Sequence, residues 1–73
     1  MKPDESTFFK SLRRTGGELP DVRGLINAQG INPKRATYLL DKWEEKGLYE
    51  YGVSVMHGWL TDAGEDLARS MAG

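Results

Sequence analysis

Apolar residues recur at helical spacing in two neighbouring stretches of the chain. Val22, Leu25 and Ile26 fall at i, i+3, i+4, and Ala36, Leu39, Leu40 and Trp43 at i, i+3, i+4, i+7, the pattern of two amphipathic helices. Between them, Gly30-Ile31-Asn32-Pro33 reads as a helix stop, a core anchor, an N-cap and a first-turn proline. The spacing predicts a second helix over about 20–29 and a third over about 33–46, closed by a left-handed Gly47. Gly24 falls inside the second helix, at a cost of about 1 kcal/mol against alanine. It is expected there to let another helix pack closely.

Upstream, Asp4 or Ser6 is expected to cap a first helix that runs to about Arg14 and buries Phe8, Phe9 and Leu12, with residues 1–3 frayed. Thr15-Gly16-Gly17 ends it, and Glu18-Leu19 before Pro20 reads as a short extended piece. Beyond Gly47 the pattern changes to β-branched and aromatic residues, Leu48 to Tyr51 and Val55 to Leu60, broken by Gly52, Ser54 and Gly58. These predict a β-hairpin whose register the sequence leaves open. Thr61 then caps a last helix over about 62–71, with Ala63 or Gly64, Leu67 and Met71 inward. The expected fold class is mainly α with a small antiparallel β-hairpin, in a single domain over residues 1–73.

Length narrows the possibilities further. A chain of 73 residues sits near the lower limit for an independent core, so every large apolar side chain is expected to pack. There is no cysteine, which removes disulfides and thiolate metal sites. The apolar runs are only a few residues long, so neither a signal peptide nor a membrane span is expected, and the location expected is cytoplasmic.

Charge is close to balanced overall, at −1, but unevenly placed. From Lys10 to Arg35 six basic side chains stand against two acidic ones, and from Asp41 to Gly73 three stand against seven. Such a split predicts a basic face for phosphates and an acidic face for solvent or a partner.

No arrangement of residues points to catalysis, and no enzyme, metal or cofactor is expected. His57 is the only histidine and has no carboxylate at ligand spacing. Glu44-Glu45 and Glu65-Asp66 are neighbours on helices, pointing about 100° apart. Gly16-Gly17 lacks the spacing and the lysine of a phosphate-binding loop.

Two amphipathic helices joined by so short a turn make a helix-turn-helix, which makes reading of double-stranded DNA the leading expectation. In detail the chain resembles the winged helix-turn-helix superfamily, in its bacterial repressor branch that includes the MarR-type regulators. The resemblance runs from about Leu19 to Leu67: the Ile31-Asn32-Pro33 start, the Glu45-Lys46-Gly47-Leu48 ending, and Leu60-Thr61-Asp62-Ala63-Gly64 after the hairpin. It implies a small transcriptional regulator of prokaryotic or phage type, with the third helix in the major groove. The chain departs from the family in its wing, where only His57 could carry positive charge.

Taking 100° per residue, Lys34, Thr37, Tyr38, Asp41 and Glu45 lie opposite the core stripe, and Arg35, Lys42 and Lys46 line one flank. The residues expected to touch DNA are Asn32, Lys34, Arg35, Thr37, Tyr38 and Lys42. Arg35 suits guanine, Lys42 a phosphate, and Asn32 with the free amides of the first turn a second phosphate. The hairpin is unusually apolar, and Tyr49, Tyr51, Val53, Val55 and Trp59 are expected to offer a surface to a second copy or a protein partner. The alternative function is accordingly a protein-protein interaction adaptor that uses this hairpin and the acidic C-terminal half without touching DNA.

Overall fold

The computed structural model describes residues 1–71 and consists of four helices and one two-stranded antiparallel hairpin. The order is α1 (Pro3–Ser11), α2 (Val22–Ala28), α3 (Pro33–Glu45), β1 (Tyr49–Tyr51), β2 (Gly58–Leu60) and α4 (Asp62–Ser70). All pack into a compact body of 28 × 26 × 24 Å.

The α2–α3 unit follows directly from local chemistry. The Asp21 carboxylate accepts the Gly24 N–H at 3.1 Å and caps α2. At the far end Gly30 takes a φ of 64°. Its N–H bonds the Asn27 carbonyl and that of Ile31 reaches Ile26, the paired bonds of a Schellman stop. Ile31 packs on the core, and the Asn32 side chain accepts the Lys34 N–H at 2.9 Å to open α3 one residue later. The same closing device recurs after α3, where Gly47 (φ 75°) bonds Glu44 and Leu48 bonds Trp43.

Thr61 joins the two halves of the molecule. Its hydroxyl donates to the Gly47 carbonyl at 2.6 Å and accepts the Gly64 N–H at 3.1 Å, while its own N–H bonds the Leu48 carbonyl. One side chain therefore caps α4 and ties it to the end of α3. The hairpin pairs Tyr49 with Leu60, Glu50 with Trp59, and Tyr51 with Gly58, which puts Tyr49 and Leu60 on the inner face. Gly64 comes so close to the Leu48 backbone and to Leu60 that a Cβ there would collide with both.

Trp43 anchors the core. Its ring meets Phe9 edge-on at 4.9 Å and Phe8 at 5.8 Å, contacts contributing about 0.5–1.5 kcal/mol each beyond area burial. Leu12, Val22, Ile26, Ala36, Leu39, Leu40, Tyr49, Leu60 and Ala68 complete the buried set. All the apolar positions of the helical stripes expected to face inward are buried or packed against this cluster.

Several expectations need correction. The first helix starts at Pro3 rather than after a frayed Met1–Pro3, and stops at Ser11 rather than near Arg14. Neither Asp4 nor Ser6 caps it; Lys2 holds the N-cap position without a side-chain bond. Pro3 suits the first turn because the amide it lacks would have no helical partner there. The expected extended piece shrinks to one bridge, Thr15 to Glu18, closed over Gly16 and Gly17 with φ of 58° and 86°. Leu19 is 60 % exposed. The second helix starts at Val22, two residues later than expected. At Gly24 the atoms nearest an added Cβ belong to the Asp21 cap rather than to another helix. Of the two positions left open in α4, Ala63 and Gly64, it is Gly64 that turns inward, as one of the alternatives had it.

Candidate functional site

The residues expected on the outer side of α3 separate into three groups. Lys34 and Tyr38 stand out from the surface, Tyr38 with 64 % of its area exposed, and Asp41 is exposed one turn further along. Thr37 is half-buried and its hydroxyl donates back to the Pro33 carbonyl at 3.0 Å. Asn32 is exposed, with its side-chain oxygen committed to the Lys34 amide.

Arg35 and Lys42 turn towards α1. The Arg35 guanidinium donates to Asp4 Oδ2 at 2.5 Å and to Glu5 Oε2 at 2.9 Å. That pairing holds the Asp4 carboxyl below its ordinary value and raises the Arg35 guanidinium above its own; in each case the hydrogen bond between them is the main cause. Arg35 therefore arrives at the surface already neutralised by two carboxylates. Lys42 lies in a shallow cleft with Met1, Glu5, Trp43 and Lys46, away from the Lys34–Tyr38–Asp41 stripe.

The uneven charge of the chain is spent largely within the fold. Arg13 pairs with Glu65 at 3.3 Å and Arg14 with Asp62 at 3.6 Å, and the Arg14 N–H also donates to Glu65. These contacts fasten the end of α1 to the first turn of α4, with exposed pairs contributing about 0–1 kcal/mol each. Lys10 reaches the Met71 carbonyl at 3.5 Å. Of the six basic residues from Lys10 to Arg35, only Arg23 and Lys34 are exposed with no ion-pair or side-chain hydrogen-bond partner among the described residues. The broad basic face expected from the sequence is thus reduced to a small one.

That face has a recognisable setting. Arg23 and Asn27 of α2, Pro33 at the start of α3 and Met56 of the hairpin loop line one cleft of about 200 Å³. The start of α3 at Pro33, the side of α2 and the hairpin loop therefore meet in one place. Sequence reasoning missed Asn27 as a member of this group, whereas Arg23, one of the six basic residues from Lys10 to Arg35, was already open to a contact with the DNA backbone. Asp4 and Glu5 were missed as partners of Arg35 because an acidic first turn reads equally well as a response to the helix dipole.

The apolar hairpin surface is smaller than expected. Tyr49 is 1 % exposed and belongs to the core, its hydroxyl donating to the Val55 carbonyl at 2.6 Å. Burial pushes its phenol up to about 12. Val55 packs against the core as well. Trp59 is half-buried, and its indole N–H donates to Glu50 Oε1 at 2.7 Å across the strands. Only Tyr51 and Val53 of the five are exposed, at 38 % and 100 %. Gly58 makes this possible, because the Tyr49 ring occupies the space a Cβ there would need.

Among the described residues no helix is long and apolar enough to cross a membrane, and no group of three or more His, Asp or Glu side chains could hold a metal ion. No protein-family model, curated protein or solved structure matches this chain.

Proposed function

We propose that the chain is a small winged helix-turn-helix domain that binds double-stranded DNA and acts as a cytoplasmic transcriptional regulator. The first turns of α3 enter the major groove, and the hairpin loop is the wing. The observation that carries this is the cleft in which Pro33 at the start of α3, Arg23 and Asn27 of α2, and Met56 of the hairpin loop meet, with Lys34 exposed next to Pro33 in the first turn of α3. A helix presented by its N-terminal turns beside a loop is a geometry that fits a groove about 12 Å wide.

The contacting residues are Lys34, Thr37 and Tyr38 on the base side, with Asn32, the free amides of the α3 first turn and Arg23 against phosphates. Arg35 and Lys42 are left to the α1 flank, where the carboxylates of Asp4 and Glu5 hold the first. Of the surface the adaptor alternative would use, Tyr49 and Val55 pack inward and Glu65 is held by Arg13, while Tyr51, Val53, Glu44 and Glu45 stay exposed.

With so few free cations the electrostatic part of binding is small. One or two cations against phosphates give a slope of about −1 to −2 in log K against log salt. A mobility shift on random-sequence duplex in low salt tests the proposal. Retardation with that slope is expected, and Arg23→Ala reduces the slope by about 1 while Lys42→Ala leaves it unchanged. Absence of any shift at low salt refutes it.

A further inference from the structure

The front of α3 carries a charge order that the fold has simplified. With Arg35 drawn to α1 and Lys42 to the flank, the outward stripe at i, i+4, i+7 is Lys34, Tyr38 and Asp41. Asp41 is exposed and has neither an ion-pair nor a side-chain hydrogen-bond partner among the described residues. A carboxylate on a surface that meets phosphates costs affinity on every sequence unless the DNA offers it a donor.

We infer that Asp41 is a specificity-determining residue that accepts a hydrogen bond from an exocyclic base amine in the major groove. This inference rests on the DNA-binding proposal above. An ionised carboxylate is acceptor-only. In the major groove guanine presents N7 and O6, and thymine O4, all acceptors, so both repel Asp41. Cytosine presents the N4 amine and adenine the N6 amine beside N7, so cytosine is preferred and adenine comes second. Lys34, a pure donor, takes the complementary choice of guanine.

The seven-residue spacing sets the distance between the two contacts. A rise of 1.5 Å per residue separates Lys34 from Asp41 by about 10.5 Å along α3, which spans about two to three base pairs because a helix in the major groove lies oblique to the DNA axis. The selected site therefore carries a guanine and, about two to three base pairs away, a cytosine or adenine, with guanine and thymine excluded at the second position. The rejection is the larger effect: an unpaired carboxylate against an acceptor is penalised, whereas its bond to cytosine is gained only in exchange for water.

Selection of binding sites from a random duplex library tests this, run in parallel for the wild-type chain, Asp41→Asn and Asp41→Ala. Asp41 has no structural partner to lose, so both variants keep the fold, which a thermal melt of each verifies. The wild type is expected to discriminate against guanine and thymine at the second position on the order of 10- to 100-fold. Asp41→Asn shifts that position to adenine, the base asparagine bonds bidentately. Asp41→Ala flattens the preference there to below about 3-fold while the Lys34 position is retained, and raises affinity for unselected duplex. A site identical in wild type and Asp41→Asn overturns the inference and leaves DNA binding standing. Failure of the wild type to select or retard any duplex overturns both.

Discussion

Removing the Tyr49 hydroxyl gives a stability change whose sign depends on pH. Tyr49 is buried, and its phenol titrates at about 12 rather than the usual 10, chiefly because burial disfavours the phenolate. Between those values the unfolded chain has released the proton and the native chain still holds it. Its contribution is fully present below pH 10 and is lost as pH rises to 12, at up to about 1.4 kcal/mol per unit, or about 2–3 kcal/mol across the window. Tyr49→Phe removes that proton and also the bond to the Val55 carbonyl, which costs about 1 kcal/mol at neutral pH. The variant is therefore the less stable protein at pH 8 and the more stable one at pH 12, with the two curves crossing near pH 11. Urea unfolding at several pH values between 8 and 12 measures the difference. Every other titrating group is common to both proteins and cancels. A gap that stays constant from pH 8 to pH 12 would mean that the phenol is not held neutral by burial, and the placement of Tyr49 in the core would fall with it.

Three further outcomes are expected. The depressed Asp4 carboxyl stabilises the fold above its unfolded value of about 3.9 and loses that contribution as pH falls through its lower folded value. The difference in melting temperature between wild type and Arg35→Gln should therefore shrink on acidification from pH 6 to pH 2; a constant difference would show that the ion pair does not stabilise the fold. Gly64→Ala should lower the melting temperature despite a helix-propensity gain of about 1 kcal/mol, because the added Cβ meets the Leu48 backbone and Leu60 and overpacking costs about 1–3 kcal/mol. Gly24→Ala, by contrast, should change stability by less than about 0.5 kcal/mol. The same propensity gain is offset there by the Asp21 cap turning aside, and a loss above 2 kcal/mol would point to a contact other than the cap.

The pairing of Arg35 with Asp4 and Glu5 also bears on how α3 is held. Phe8 and Phe9 grip Trp43 from below, while the acidic first turn of α1 grips Arg35 near the N-terminus of α3. The helix is thus fastened at both ends of its inner flank, and its front is left free. Rigid presentation of this kind lowers the ordering cost of docking into a groove.

What a residue's neighbours along the chain decide was readable without coordinates. Asn32 before Pro33, Thr61 three residues before Gly64, and the left-handed Gly30 and Gly47 act through backbone groups two to five positions away, and the 3.6-residue period alone assigns Leu39, Leu40 and Trp43 to one face. Partners distant in sequence were a different matter. Glu65 lies 52 residues from Arg13, and Asp4 31 residues from Arg35; many cations and carboxylates of equal chemistry compete for such roles, and only chain geometry selects among them. The hairpin depends on the same kind of choice, because shifting its register by one residue exchanges its faces. Closure of the strands by Thr61 and the space above Gly58 put Tyr49 inside and Glu50 out. Local rules therefore determined where α2 ends, where α3 and α4 begin and end, and which sides the helices bury, but not the bounds of α1 or the start of α2. Packing of the whole chain decided which charges remain free to meet a partner, since a charge is free only when the fold brings no opposite charge within reach.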